Sequence, residues 1–206
     1  MNAAAGFKNW LGSRLGFWEL FALALLLVLA QRWQVTLFWS RNAIGQGDWG
    51  RLWTGHWVHW DGVHLAFNII ALLLLPWVVE RPPRWLFYAL WFLLPPILSS
   101  LFYWFLPALH SYAGLSGVLH GLFMAAALWA WQFGKDKHWS ILLAVLILAK
   151  LLQEHLSGSS VSSGLMSQPV LTEAHAWAVG CVLVFWGIFL VFDFAKRTFK
   201  THLLYD

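Results

Sequence analysis

The segment AGLSGVLHGLFMAAALWAWQF, running from Ala113 to Phe133, decides how the rest of the chain is read. Its length suits an α-helix crossing the roughly 30 Å hydrocarbon core of a bilayer. It is largely apolar, yet Ser116 and His120 sit in its first two turns among Gly114, Gly117 and Gly121. Polar side chains at membrane depth are costly, and they mark function by default.

The whole chain has the same character. Of 206 residues, 60% are hydrophobic, 18% aromatic and only 11% charged. A soluble domain carries about 45–50% apolar and about 25% charged residues. The composition therefore argues against a disordered chain, a disulfide scaffold and a cytosolic enzyme. Apolar runs separated by polar punctuation predict six membrane-spanning helices at 17–36, 62–79, 85–106, 113–133, 139–153 and 171–192. The expected fold is an all-α membrane protein, one six-helix domain over residues 1–206. No internal repeat or heptad is present. Ser157 to Gly164 reads as a mobile loop before the last span and a plausible lid.

Charge sets the expected orientation. The formal net charge is +4, from 13 Lys and Arg against 9 Asp and Glu. The basic residues are scattered, which argues against a nucleic-acid surface. Lys8, Arg14, Arg81, Arg84, Lys135, Lys137, Lys196, Arg197 and Lys200 fall on one side of the six spans. Arg32, Arg41, Arg51 and Lys150 fall on the other. The excess predicts both termini in the cytoplasm. Val28-Leu29-Ala30 looks like a signal-peptidase site, but the first apolar run is expected to be a retained helix of the bundle. The single cysteine, Cys181, excludes an internal disulfide and a Cys-based zinc site. Between the first two spans, Trp33, Trp39, Trp49, Trp53, Trp57 and Trp60 fill a loop too polar to span and too aromatic for water. It is expected to lie in the outer interface.

Five polar residues stand near helix starts. His64 and Asn68 open span two, Ser116 and His120 open span four, and His175 opens span six. All three spans run from outside inward, so these groups share one layer just below the outer surface. A serine hydroxyl is a poor nucleophile until a base takes its proton, and histidine suits that task. His120 is one turn from Ser116 on the same helix face. The base is therefore expected from another helix, namely His175, with His120 stacking on it or orienting it. The only carboxylate evident beside these histidines is Glu173, so a Ser–His dyad is expected. His64, Asn68 and backbone N–H groups around Gly114 and Leu115 are placed to stabilise an oxyanion. His56 and His59 are read as structural. His110, His138, His155 and His202 are read as exposed helix ends.

These motifs resemble a known family. His64-Leu-Ala-Phe-Asn68 resembles the H-x-x-x-N motif of the rhomboid intramembrane serine proteases, and Gly114-Leu-Ser-Gly117 their G-x-S-G nucleophile motif. Glu173-Ala-His175 resembles their A-H motif, and Gly55-His-Trp-Val-His59 their stretch before the second helix. The resemblance implies that Ser116 is the nucleophile, His175 the general base, and His64 and Asn68 the lining of the oxyanion hole. It implies membrane-anchored protein substrates cut near their outer end, without metal or cofactor. The run from Gly114 to Gly121, with His120 where many rhomboids have tyrosine, looks like the bacterial rhombosortase subgroup. That subgroup implies substrates with C-terminal Gly-Gly-type sorting tails, a bacterial inner membrane, and a site opening to the periplasm. Ala178 and Val182 stand where the family usually has glycines, and Val182 implies slightly wider packing at the inner end of the helix pair.

Two other readings are carried. Bis-His ligation through His120 and His175, or His64 and His175, would make a b-type membrane cytochrome. An inactive rhomboid-like protein would bind membrane segments without cutting them.

Overall fold

The computed structural model describes residues 16–78, 81–135 and 137–202, with 193–202 described by backbone alone. Lys8, Arg14, residue 79 and the side chains of Lys196, Arg197, Lys200 and His202, all used in the expectations above, lie outside the described residues.

Helix α1, Phe17–Ala30, continues through a 3-10 turn at Gln31–Trp33 into α2, Gln34–Leu37. A short strand β1 (Trp39–Ser40) and two short helices, α3 (Arg41–Gly45) and α4 (Arg51–Thr54), make up the first loop. Then come α5 (Gly62–Val78), α6 (Arg84–Phe105), strand β2 (Ser111–Tyr112), α7 (Ser116–Phe133), α8 (Lys137–Ser157), a 3-10 turn at Val161–Leu165 and α9 (Thr172–His202). Each expected span has a helical counterpart, and the protein is mostly helical. Among the described residues, four stretches, Phe17–Leu37, Arg84–Phe105, Lys137–Ser157 and Thr172–Phe192, are long and apolar enough to cross a membrane; Gly62–Val78 is apolar but shorter, and Ser116–Phe133 is not among the four.

Several boundaries differ from expectation, among them the end of α9, which runs to His202 rather than 192. Helix α7 begins at Ser116 rather than 113, because Tyr112 pairs in a strand and Gly114 holds a φ of +147° that no helix accommodates. Helix α8 runs four residues past 153, to Ser157. The loop after it contains a 3-10 turn, and its Ser167 N–H and hydroxyl both donate to Asp61 Oδ2, at 2.8 and 2.7 Å.

Helix α7 is the centre of the molecule. Its buried positions are mostly small: Gly117, Gly121, Ala125, Ala126, Ala127 and Ala130. Small residues let helix backbones approach closely where apolar burial alone cannot drive association. A Cβ on Gly117 would lie 2.9 Å from the Ala174 carbonyl oxygen of α9. One on Gly121 would lie 2.6 Å from Leu94 Cδ1 and 3.4 Å from Val182 Cγ2. The wider packing expected from Val182 is therefore offset from the facing helix, because Gly121 makes room for the valine. Large apolar side chains on the outer faces, among them Trp18, Leu26, Trp77, Trp104 and Val184, remain exposed. At the end opposite the first loop, Glu19 reaches back to the Gly16 N–H (2.7 Å), closing the first turn of α1. It also pairs with Arg84 of α6 at 2.8 Å.

The first loop is fastened to α6. Pro96 has no N–H, so it leaves the Phe92 carbonyl without its helical partner. The Trp53 indole N–H donates to that carbonyl at 2.8 Å. At the end of α6, where carbonyls run out of helical partners, the Arg41 guanidinium donates to those of Phe102, Tyr103 and Leu106 at 2.8–3.0 Å and to that of Leu109 at 2.9 Å, adding a charged donor to the backbone N–H that Phe102 and Leu106 already accept. The tryptophans divide accordingly. Trp33 and Trp49 are exposed, whereas Trp39 is fully buried and serves the protein core, not the interface.

Candidate active site

The turn that presents Ser116 is held from the first loop. Strand β1 pairs antiparallel with β2, Trp39 opposite Tyr112 and Ser40 opposite Ser111. The Gly114 N–H donates to the Gly55 carbonyl at 3.1 Å, and the Tyr112 hydroxyl to the Gly114 carbonyl at 2.6 Å. Gly55 lies against Trp39 so closely that a Cβ would stand 2.6 Å from its backbone nitrogen. Gly114 is needed twice over. Its φ favours glycine, and a Cβ would stand 2.6 Å from Cε1 of His64. Ser116 then opens α7, where the first N–H groups have no intrahelical acceptor.

The structure brings Ser116 and His175 together. Ser116 Oγ lies 2.9 Å from His175 Nε2. His120 stacks on His175, with centroids 4.0 Å apart and planes 18° from parallel. Its Nδ1 is 2.7 Å from the Ser116 carbonyl, so that nitrogen carries the hydrogen.

The carboxylate beside His175 is not the one expected. Glu173 is exposed on the rim. Glu154 of α8 instead accepts from His175 Nδ1, its Oε2 at 2.8 Å, and both side chains are only 2% exposed. Its other oxygen meets Lys150 Nζ, one turn back on the same helix. A span ending at 153 stops one residue short of this group. The extra turn of α8 buries Glu154 against α9, so three side chains are linked where two were expected. The available signal was the Lys150/Glu154 spacing of four, which places an ion pair on one face of a helix.

The other expected residues divide. Asp61 Oδ1 accepts the His64 N–H at 2.8 Å, capping α5 and fixing the approach of the imidazole. His64 Nε2 is buried and has no partner among the described residues. It borders a cavity of about 460 Å³ that Ser116, Trp60, Tyr112, Gln168 and Glu173 also line. Asn68 is buried but does not line that cavity, and its amide donates back to the His64 carbonyl at 3.0 Å. The Leu115 N–H is directed instead at His59 Nε2, at a long 3.4 Å. Burial pushes His59 down to about 3, helped by neighbouring His64 and opposed by Asp61, so its ring is neutral and can accept. His56 is also buried, is pushed down to about 3 mainly for that reason, and bonds Ser99 Oγ at 3.0 Å. Both behave as structural groups.

A haem does not fit the histidines proposed for it. His120 and His175 lie face on face with no room for a macrocycle between them. Both ring nitrogens of His175 are engaged, which removes it from the pair with His64 as well.

The Ser116 hydroxyl and His64 Nε2, unpartnered among the described residues, thus border one cavity, with the His175 imidazole bonded to the hydroxyl from behind. Comparison with protein families matches residues 46–186 to the Rhomboid domain. Among curated proteins, no match is found.

Proposed function

Since the chain belongs to the rhomboid family, whose proteases act on membrane protein substrates in the bilayer, we propose that it is an active intramembrane serine endopeptidase. The observation that carries this is the 2.9 Å contact between Ser116 Oγ and His175 Nε2 beside the polar cavity. His175 takes the Ser116 proton as Oγ attacks the scissile carbonyl carbon, and the carbonyl electron pair moves onto oxygen. The His64 Nε2 hydrogen and the Ser116 N–H, in the first turn of α7, stabilise that oxyanion. His175 then returns the proton to the departing amine nitrogen as the C–N bond breaks. Water, activated by the same imidazole, hydrolyses the acyl-enzyme and restores Ser116. Asn68 supports His64 from one turn below.

The finer reading is that all six long helices span, with both termini in the cytoplasm of a bacterium and the cavity open to the periplasmic side. The substrates would be proteins with a membrane anchor, of the rhombosortase kind with a Gly-rich C-terminal tail. The run from Gly114 to Gly121, with His120 on His175, supports that subgroup. The test is cleavage of a tailed substrate, together with fluorophosphonate labelling, by the wild type and Ser116→Ala. Loss of both in the variant, with insertion and folding retained, is expected. Wild-type cleavage by Ser116→Ala would overturn the reading.

A further inference from the structure

We propose that Glu154 is a third, positioning member of the hydrolytic site, making it a Ser116–His175–Glu154 relay rather than a dyad. The inference rests on the protease reading above and adds a residue to it.

The chemistry follows from hydrogen-bond direction. An ionised carboxylate has no hydrogen to give, so Glu154 Oε2 can only accept from His175 Nδ1 at 2.8 Å. That bond keeps the ring hydrogen on Nδ1. Nε2 is left with its lone pair facing Ser116 Oγ at 2.9 Å, which is the form able to take the serine proton. In the opposite tautomer Nε2 would point a hydrogen at the hydroxyl and could not act as base. When His175 accepts the proton it becomes a buried cation, and Glu154 is the adjacent anion that stabilises it. The proton moves only between Ser116, His175 and the leaving group, and Glu154 stays ionised throughout.

The surroundings are built for this. A lone carboxylate at 2% exposure would be expensive. Lys150 pairs with its second oxygen from a half-exposed position, so the charge is compensated without occupying the oxygen that faces His175. Around His175 stand Glu154 and Lys150 from α8, His120 and Ser116 from α7, His64 from α5 and Glu173 two residues before it. Of these, Glu154 alone holds Nδ1. A structural ion pair between Lys150 and Glu154 would not require the second oxygen to meet the imidazole that also meets Ser116.

The test uses the full chain purified in detergent, with Ser116→Ala as the blank. Glu154→Gln is the sharp probe, because its amide can present N–H to Nδ1 and favour the wrong tautomer. The fluorophosphonate labelling rate should fall between about 10²- and 10⁴-fold. In a cleavage assay the loss should lie in kcat, with KM nearly unchanged, because Glu154 is behind the imidazole. Glu154→Asp should recover part of the rate. Labelling of Glu154→Gln at the wild-type rate, or a loss confined to KM, would overturn the inference while leaving Ser116 as nucleophile. Failure of the protease reading would show separately, as equal behaviour of wild type and Ser116→Ala. If Glu154→Gln does not fold, nitrogen-15 spectra of the wild-type histidines decide. A hydrogen on His175 Nδ1 with Nε2 bare supports the proposal, and the reverse tautomer overturns it.

Discussion

The imidazole of His120 lies flat on that of His175, 4.0 Å away, while its own Nδ1 is tied to the carbonyl of Ser116. One side chain thus connects the helix carrying the hydroxyl to the ring that faces it. It limits the tilt of His175 from the ring face, whereas that ring's two hydrogen bonds act in its plane. His120→Ala should lower the labelling rate of Ser116 by about 10- to 100-fold, since a small misplacement of a reacting group is costly. His120→Tyr, which keeps a flat ring to stack, should retain most of it. Equal rates for the two variants would show that stacking is unimportant.

Two glycines of α7 should respond differently to the same added methyl. At Gly117 a Cβ meets the Ala174 backbone carbonyl, 2.9 Å away and one residue before His175. Backbone cannot yield without moving α9. Gly117→Ala should cost about 1–3 kcal/mol and most of the activity. At Gly121 the nearest atom is Leu94 Cδ1, the far end of a flexible side chain. Gly121→Ala should be milder in both respects. Thermal unfolding and labelling of the two proteins compare them directly.

Asp61 joins the start of α5 to the loop before α9. Burial pushes its carboxyl up, but the His64 N–H and the Ser167 hydroxyl and N–H outweigh that and hold it down to about 2. A carboxyl lowered in the folded state stabilises fully above its unfolded value of about 3.9 and loses that contribution as pH falls toward 2. The melting temperature of the wild type should exceed that of Asp61→Asn at pH 6. The gap should close as the pH is taken below about 4. A gap independent of pH would mean that the carboxylate charge is not what holds the loop.

Arg41 donates to four carbonyls at and beyond the end of α6, and it stacks over Tyr103 at 4.8 Å. Arg41→Ala leaves those carbonyls without their charged donor and should cost about 3 kcal/mol. Arg41→Lys should recover less than half, because an ammonium cannot reach four acceptors in a fork geometry. The first loop supports the Gly114 turn through β1 and β2, so both variants should also slow labelling of Ser116. Unchanged unfolding in Arg41→Ala would remove this support from the account.

Much was legible in one dimension. The length of the apolar runs placed the long helices, since only backbone satisfied within its own segment is tolerated in such surroundings. Ser116, His120, His64 and His175 stood out because a polar group in an apolar helix start has few bland explanations. A common layer was expected from the order of the helices, and His175, His120 and His64 do meet Ser116 or border its cavity.

What the order of residues determined was therefore the helices, the family motifs and the residue types available for chemistry. What only the tertiary structure decided was which partner each polar atom takes. Glu154 sits 21 positions before His175, at the end of a helix whose last turn looked like loop. Leu115, expected to face an oxyanion, spends its N–H on His59. Arg41, counted as one more loop charge, closes a helix more than sixty residues away. Hydrogen bonds of this kind depend on helix phase and the angle between helices, to within a few tenths of an ångström. Those are set by how Gly117 and Gly121 let α9 and α6 approach, which no local pattern states.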